Sequence, residues 1–273
     1  MKIGKTTTVT SAICGSDDET IIVRGADLCR ELIGKLSFTD YFWLLVTGER
    51  PSPMASRVLD ATLVAIAEHG LVPSVQASRM TLAAAPDAVQ GAVAAGILGC
   101  GSVILGSSET AGRLFLRVDA RSREKSLALE DAAADVVREM RSMKQAIPGY
   151  GHPLHKARDP RVARLFAVAA EAGTPGRFIA IAEAVEKVLP GMTGRDLRLN
   201  VSAAIPAVML DVGFPAEALK GVPILARTAG LIGHLTEELT APIGFALSYQ
   251  ASREQRYTGA LPPGVTLKTP HAE

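Results

Sequence analysis

Net charge is the first thing this sequence lacks. Its 29 Lys and Arg are balanced by 28 Asp and Glu, a formal charge of +1, so no global field steers the chain toward nucleic acid or an anionic membrane, and any basic site has to be local. Cysteine is scarce as well. Cys14, Cys29 and Cys100 are odd in number and have no zinc-site spacing, which reads as small buried thiols in a reducing compartment rather than disulfide or redox chemistry. The start, MKIGKTTTVT, has no apolar run of the signal-peptide kind, and the expected location is cytoplasmic. There is no strand–helix alternation, which excludes a parallel α/β sheet, and neither a fixed-period repeat nor a low-complexity tract. Outside the crowded His152/His155 turn, no pair of histidines or carboxylates has metal-ligand spacing, so no metal is expected. The serine-containing loops GCGS and LGSS have no nucleophile-elbow pattern. His234 and His271 have no informative neighbours.

One segment lacks charge altogether. AVQGAVAAGILGCGSVILG, Ala88 to Gly106, nearly reaches membrane-spanning length, but its five glycines, Gln90 and missing aromatic or basic anchors suit a helix whose small residues permit close packing. No membrane association is expected.

What is present is apolar and helical. Hydrophobic residues make up 48% and charged ones 21%, more apolar material than a lone monomer needs, so a buried subunit interface is expected. After β-branched stretches (TTTVTSAI, ETIIVRG) that suit a small N-terminal β hairpin, apolar residues recur at helical spacing. In RPSPMASRVLDATLVAIAEHG, Ser52 suits the N-cap, Pro53 the first helical position and Gly70 a left-handed stop, with His69 in the last turn. Further helices are expected at about 24–34, 38–47, 88–105, 107–119, 129–143, 160–172, 177–189, 199–211, 215–220 and 223–248. The end, LPPGVTLKTPHAE, reads as a loosely held tail.

Titratable chemistry concentrates in IPGYGHPLHKARDPR, Ile147 to Arg161. Gly149 and Gly151 let backbone approach a ligand, and Lys144, Lys156, Arg158 and Arg161 can offset phosphates or carboxylates. His152 can exchange a proton near neutral pH. A basic solvated turn with a structural histidine is an equal reading of the spacing alone. For His69, a position at the carbonyl end of a helix is reason enough by itself.

These pieces together resemble the citrate synthase family. TIIVRGADLCRELIGKLSFTDYFWLLVTGERPS resembles its early "RG.D…LIGKLSF…LL.TGE.P" segment, GYGHPLHKARDPR its second catalytic-histidine loop, LNVSAAIPAVMLDVGFP its "NVD" segment, and RTAGLIGHLTEE its arginine-bearing helix. The short length, GSVILG and IPGYGHPLHK look most like its citryl-CoA lyase branch. The resemblance implies an all-α fold with a large domain (residues 1–107 and 223–273) and a small one (108–222), and a homodimer. It implies acyl-CoA and di- or tricarboxylate substrates, with no tightly bound cofactor beyond the coenzyme A thioester itself. By position, His152 would move the hydroxyl or keto-oxygen proton, and Arg161, Arg227 and His69 would contact the acid. Gly149, Tyr150 and Gly151 would border coenzyme A, with Lys144 and Arg158 as phosphate contacts.

Two departures bear on the reaction. Leu105 stands where the family has an enolate-stabilising histidine, and Ser202 where it has the catalytic aspartate. A serine is a poor base for a thioester α-proton, whereas cleavage needs only hydrogen-bond donors to the enolate, which Ser202, Ser102 or Ser107 can supply. The expectation is a lyase releasing acetyl-CoA and oxaloacetate. Condensation or cleavage of a different acyl-CoA and keto acid, and a catalytically silent ligand-binding or partner subunit, stay open.

Overall fold

The computed structural model describes residues 9–101, 105–151 and 159–267. It divides into two compact units: residues 1–65 with 107–222, and 66–106 with 223–273. The expected large domain grouped 1–107 with 223–273; here the residues up to 65 group with 107–222 instead.

The first unit opens with a three-stranded antiparallel meander, β1 (Cys14–Ser16), β2 (Ile21–Val23) and β3 (Ala26–Asp27), one strand more than the expected hairpin. The Arg-Gly pair between β2 and β3 has positive φ at both residues, 49° and 82°, as a two-residue hairpin turn with right-handed strand twist requires. Arg24 accepts that conformation while its guanidinium donates from Nε and Nη2 to the Leu45 carbonyl at 3.0 and 2.5 Å. It thereby satisfies one of the carbonyls left over at the end of α1 (Phe38–Thr47). The helix expected over 24–34 is therefore replaced by β3 and one short wide turn, Leu28–Leu32, closed by Ile33 N–H on the Leu28 carbonyl. Cys14 and Cys29 are exposed, on the sheet and on this turn, and only Cys100 is buried. The expectation of three buried thiols fails because elements this short have too little interior to cover them.

Helix α2 (Pro53–Ala67) starts as the sequence indicates, with Ser52 Oγ accepting from Ala55 N–H. It ends at Ala67, so His69 lies beyond its last turn rather than in it, although Gly70 does take positive φ. The unit continues through α5 (Gly106–Lys125), α6 (Leu129–Ser142), α7 (Pro160–Ala172), α8 (Arg177–Thr193) and α9 (Val201–Asp211); these numbers leave α3 and α4 for the second unit. α9 is apolar nearly all round, buried from Ala203 to Met209, and both α7 and α8 pack on it. Gly176 precedes α8 and has no side chain to cap it; Asp211, at the far end of α9, accepts from Phe178 and Ile179 N–H instead.

The second unit contains α3 (Pro73–Ala84), α4 (Val89–Leu98), α10 (Gly221–Thr240, from residue 223) and α11 (Gly244–Glu254). The sequence did not announce α3, because the face it buries includes Ser74, Ser78 and Arg79 and so carries no apolar period. α4 is shorter than expected, and no helix among the described residues is long and apolar enough to cross a membrane. The span expected over 223–248 is two helices, because Pro242 has no N–H to extend the first. Residues 255–267 are exposed and non-helical.

Arg79 holds this unit's helices together. Only 2% exposed, it donates from Nε to Glu238 at 2.6 Å, from Nη1 to Glu237 at 2.5 Å and from Nη2 to the Ala241 carbonyl at 3.0 Å. Glu238, as deeply buried, also accepts from Ile243 and Gly244 N–H at the start of α11. Removing the arginine leaves a carboxylate in the interior without its cation. Arg79→Ala is expected to lower unfolding stability by about 3–5 kcal/mol, read from the urea midpoint at pH 7.

Candidate active site

In the first unit the charged loop is tied at both described ends to the first turn of α9. Tyr150 and Leu199 form an antiparallel bridge. Gly151 N–H donates to the Arg198 carbonyl at 2.7 Å and Asn200 N–H to the Gly149 carbonyl at 3.0 Å. The Asn200 side chain does two things: Nδ2 donates to the Gly151 carbonyl at 2.6 Å, and Oδ1 accepts from Ser202 N–H at 2.9 Å as the N-cap of α9. Gly149 is required here. Its φ is +86°, and a Cβ would lie 2.5 Å from Ala203 Cβ.

At the other end, Asp159 N-caps α7 with Pro160 at the first helical position. Its carboxylate is 2% exposed. Oδ1 accepts from Arg161 N–H and Nε, and Oδ2 from Arg161 Nη2 at 2.8 Å and from Val201 N–H at 3.3 Å. Burial works to raise this carboxyl, but the Arg161 guanidinium and the two amides outweigh it and hold it below its ordinary 3.8. Asn200 and Asp159 thus suspend residues 151 and 159 from neighbouring positions of one helix.

His152 and Arg158, with His155, Lys156 and Ser102, lie outside the described residues. The others can be placed. Ser202 is half-buried in the first turn of α9, and Pro206, four residues on, has no N–H for its carbonyl. Arg161 turns its Nε–Nη2 edge to Asp159, leaving the outer Nη1 edge unused by that carboxylate. Tyr150 is committed to the interior: its hydroxyl donates to the Ala182 carbonyl at 2.8 Å, and burial, with Glu186 adding, pushes its phenol well above its ordinary value. What this residue offers a ligand is backbone. Lys144 is exposed with φ of 56° at the end of α6, and Ser107 is in the first turn of α5.

In the second unit Arg227 is 5% exposed on α10, and its Nε and Nη1 have no hydrogen-bond partner among the described residues. A buried guanidinium without acceptors carries a large desolvation penalty unless an anion meets it. His69 is half-buried after the end of α2, and Leu105 takes φ of 69° just before α5. Reading the sequence missed Asp159, Asn200, Glu68 and His234. The first two carried a signal, each being an N-cap residue type directly before a helix.

With this geometry in view, the comparisons with known proteins are specific. The citrate synthase C-terminal domain model matches residues 32–243, and the chain belongs to the citrate synthase family. The citrate synthase of Synechocystis sp. is 26% identical over 212 residues, 76% of this chain and 51% of that protein. The probable ATP-citrate synthase of Dictyostelium discoideum is 27% identical over 263 residues, 87% of this chain and 39% of that one. The chain thus spans about half the length, or less, of these curated relatives. Among solved structures, the citryl-CoA lyase of Hydrogenobacter thermophilus superposes with a TM-score of 0.82 at 32% identity, covering 95% of this chain and 98% of that one. The ATP citrate lyase of Methanosaeta concilii, solved with (3S)-citryl-CoA, superposes at 0.72 and 24% identity over 96% of this chain and 43% of that one, a likeness of fold.

The Asp159 geometry has a pH signature. Because its folded pKa lies below the unfolded value, the stability it contributes is present above the ordinary carboxylate range and is lost as pH falls through the folded value. Asp159→Asn should lower stability at pH 7 and flatten the acid limb of the stability curve between about pH 5 and pH 2, measured by denaturant titration at each pH.

Proposed function

We propose that this chain cleaves a citryl-type β-hydroxyacyl-CoA into acetyl-CoA and a keto acid such as oxaloacetate. The observation that carries the reading is Arg227, a buried guanidinium whose Nε and Nη1 have no acceptor of the protein's own among the described residues. Such a group suits a substrate carboxylate, which it can grip through two parallel hydrogen bonds. The outer edge of Arg161 and the imidazole of His69 would serve further carboxylate oxygens. Gly149 to Gly151, with Lys144 and Arg158, would meet the coenzyme A portion.

In this reading His152 removes the proton from the β-hydroxyl. The oxygen's electron pair becomes the keto carbonyl, the adjoining carbon–carbon bond breaks, and its electrons pass into the thioester enolate. Ser202 donates a hydrogen bond to the enolate oxygen while a proton is returned to carbon, giving acetyl-CoA. Cleavage suits a site with Leu105 and Ser202 better than condensation does, since neither side chain can pull an α-proton from acetyl-CoA. Nearly full-length likeness to a citryl-CoA lyase supports the same direction. The same two residues favour the second reading, a silent binding or partner subunit.

Incubation with citryl-CoA is expected to release acetyl-CoA and oxaloacetate in equal amounts. His152→Ala should lower turnover by about 10²–10⁴-fold with little change in coenzyme A binding, and Arg227→Lys should weaken substrate binding although the charge is kept. Coenzyme A binding without turnover in the wild type would favour the silent reading.

We infer a homodimer as well, with α4 in its interface. That helix carries no charge, and its exposed residues are Val89, Gln90, Ala94 and Leu98, the last 86% exposed. Leu98→Glu should shift the protein toward monomer in sedimentation velocity at micromolar concentration.

A further inference from the structure

His234 sits on α10 four residues beyond Gly230 and seven beyond Arg227, so the three lie on one stripe of the helix. At Gly230 the end of α2 rests directly on that stripe. A Cβ there would fall 2.0 Å from the Ala67 carbonyl oxygen and 3.3 Å from Glu68 Oε2, so only glycine permits the approach. α2 stops at Ala67, and Glu68, His69 and Gly70 follow it outside the helix.

Side chains take over. The Glu68 carboxylate accepts from Gly70 N–H through Oε1, while Oε2 lies 2.9 Å from His234 Nε2, close but outside hydrogen-bond geometry. On its other side His234 Nδ1 is 3.4 Å from Arg79 Nη1. An arginine can only donate, which makes Nδ1 the acceptor and leaves the ring proton on Nε2, facing Glu68. Arg79 is immobile, held by Glu237, Glu238 and the Ala241 carbonyl. Burial works to raise the Glu68 carboxyl, but His234 and the Gly70 amide lower it further, so the group is anionic at neutral pH.

A run of contacts therefore leads from a fixed guanidinium through an oriented imidazole to a carboxylate that is covalently next to His69 and hydrogen-bonded to the residue after it. Glu68, Gly230, Gly233, His234 and Glu237 line an open surface depression of about 400 Å³.

We propose that Glu68 and His234 are positioning residues that set the place of His69, an inference whose consequence for binding rests on the reading of His69 as a substrate contact. Its structural part is tested without ligand. In protein labelled with ¹⁵N-histidine, with the His69 ring signals assigned by loss in His69→Gln, His234→Ala should double or broaden those signals. His234→Gln, whose amide can still donate toward Glu68, should leave them single and near their wild-type positions.

Oxaloacetate titration then reads the consequence. His234→Ala should raise Kd about tenfold, the effect of losing one bond to a charged group, and His234→Gln should stay within about twofold. His69→Ala combined with His234→Ala should bind no worse than His69→Ala alone, because the second change acts only through the first. Unchanged His69 signals in His234→Ala, equal disturbance by Gln and Ala, or additive losses in the double variant would each overturn the inference. Disturbed signals in His234→Ala with oxaloacetate binding that no His69 variant alters would uphold the positioning and refute the substrate role of His69 instead.

Discussion

Asn200, the N-cap of α9, holds the Gly151 end of the charged loop, while Asp159 at the loop's other end holds Val201 of the same turn, and the geometry of the first unit's candidate site depends on that double attachment. Asn200 caps the helix with one side-chain atom and holds the Gly151 carbonyl with the other. Asp159 holds Val201 N–H while its guanidinium partner, Arg161, neutralises it. Both use the same physical fact: the first amides of a helix have no partner inside it. Here those amides anchor chain rather than a ligand, which brings the residues flanking the loop to the turn that carries Ser202.

The second unit solves a different problem. It buries two arginines, and they are treated in opposite ways. Arg79 is surrounded by two glutamates and a carbonyl, joining α3 to α10 directly and to α11 through Glu238. Arg227 has two nitrogens without acceptors among the described residues. An interior guanidinium is tolerated when its hydrogen bonds are made; those of Arg79 are made by the protein itself, whereas Arg227 keeps two donor nitrogens without a protein acceptor among the described residues.

Much of this was legible. Caps, prolines and apolar spacing located α1, α2, α6 and α7 to within a few residues, since those signals are local. They failed where the buried face was polar, as in α3, where a proline removed the next amide, as after α10, and where a turn beginning Arg-Gly led into strand rather than helix. Among the candidate residues, those of the loop and Arg227 stood out as motif members. Glu68 and His234 did not, because they are 166 positions apart in the sequence and neither has meaning without the other.

By itself, then, the sequence determined the helical class, the family to which the chain belongs, and the concentration of titratable residue types in the charged loop. Only the tertiary structure decided which charges are spent. Arg161 and Arg79 face carboxylates of the protein's own, Arg227 has no such partner among the described residues, and the Tyr150 hydroxyl is consumed by a buried carbonyl. The reason is that a side chain's charge is a property of the residue, whereas its availability depends on acceptors and burial supplied by distant segments, and those exist only once the helices have packed.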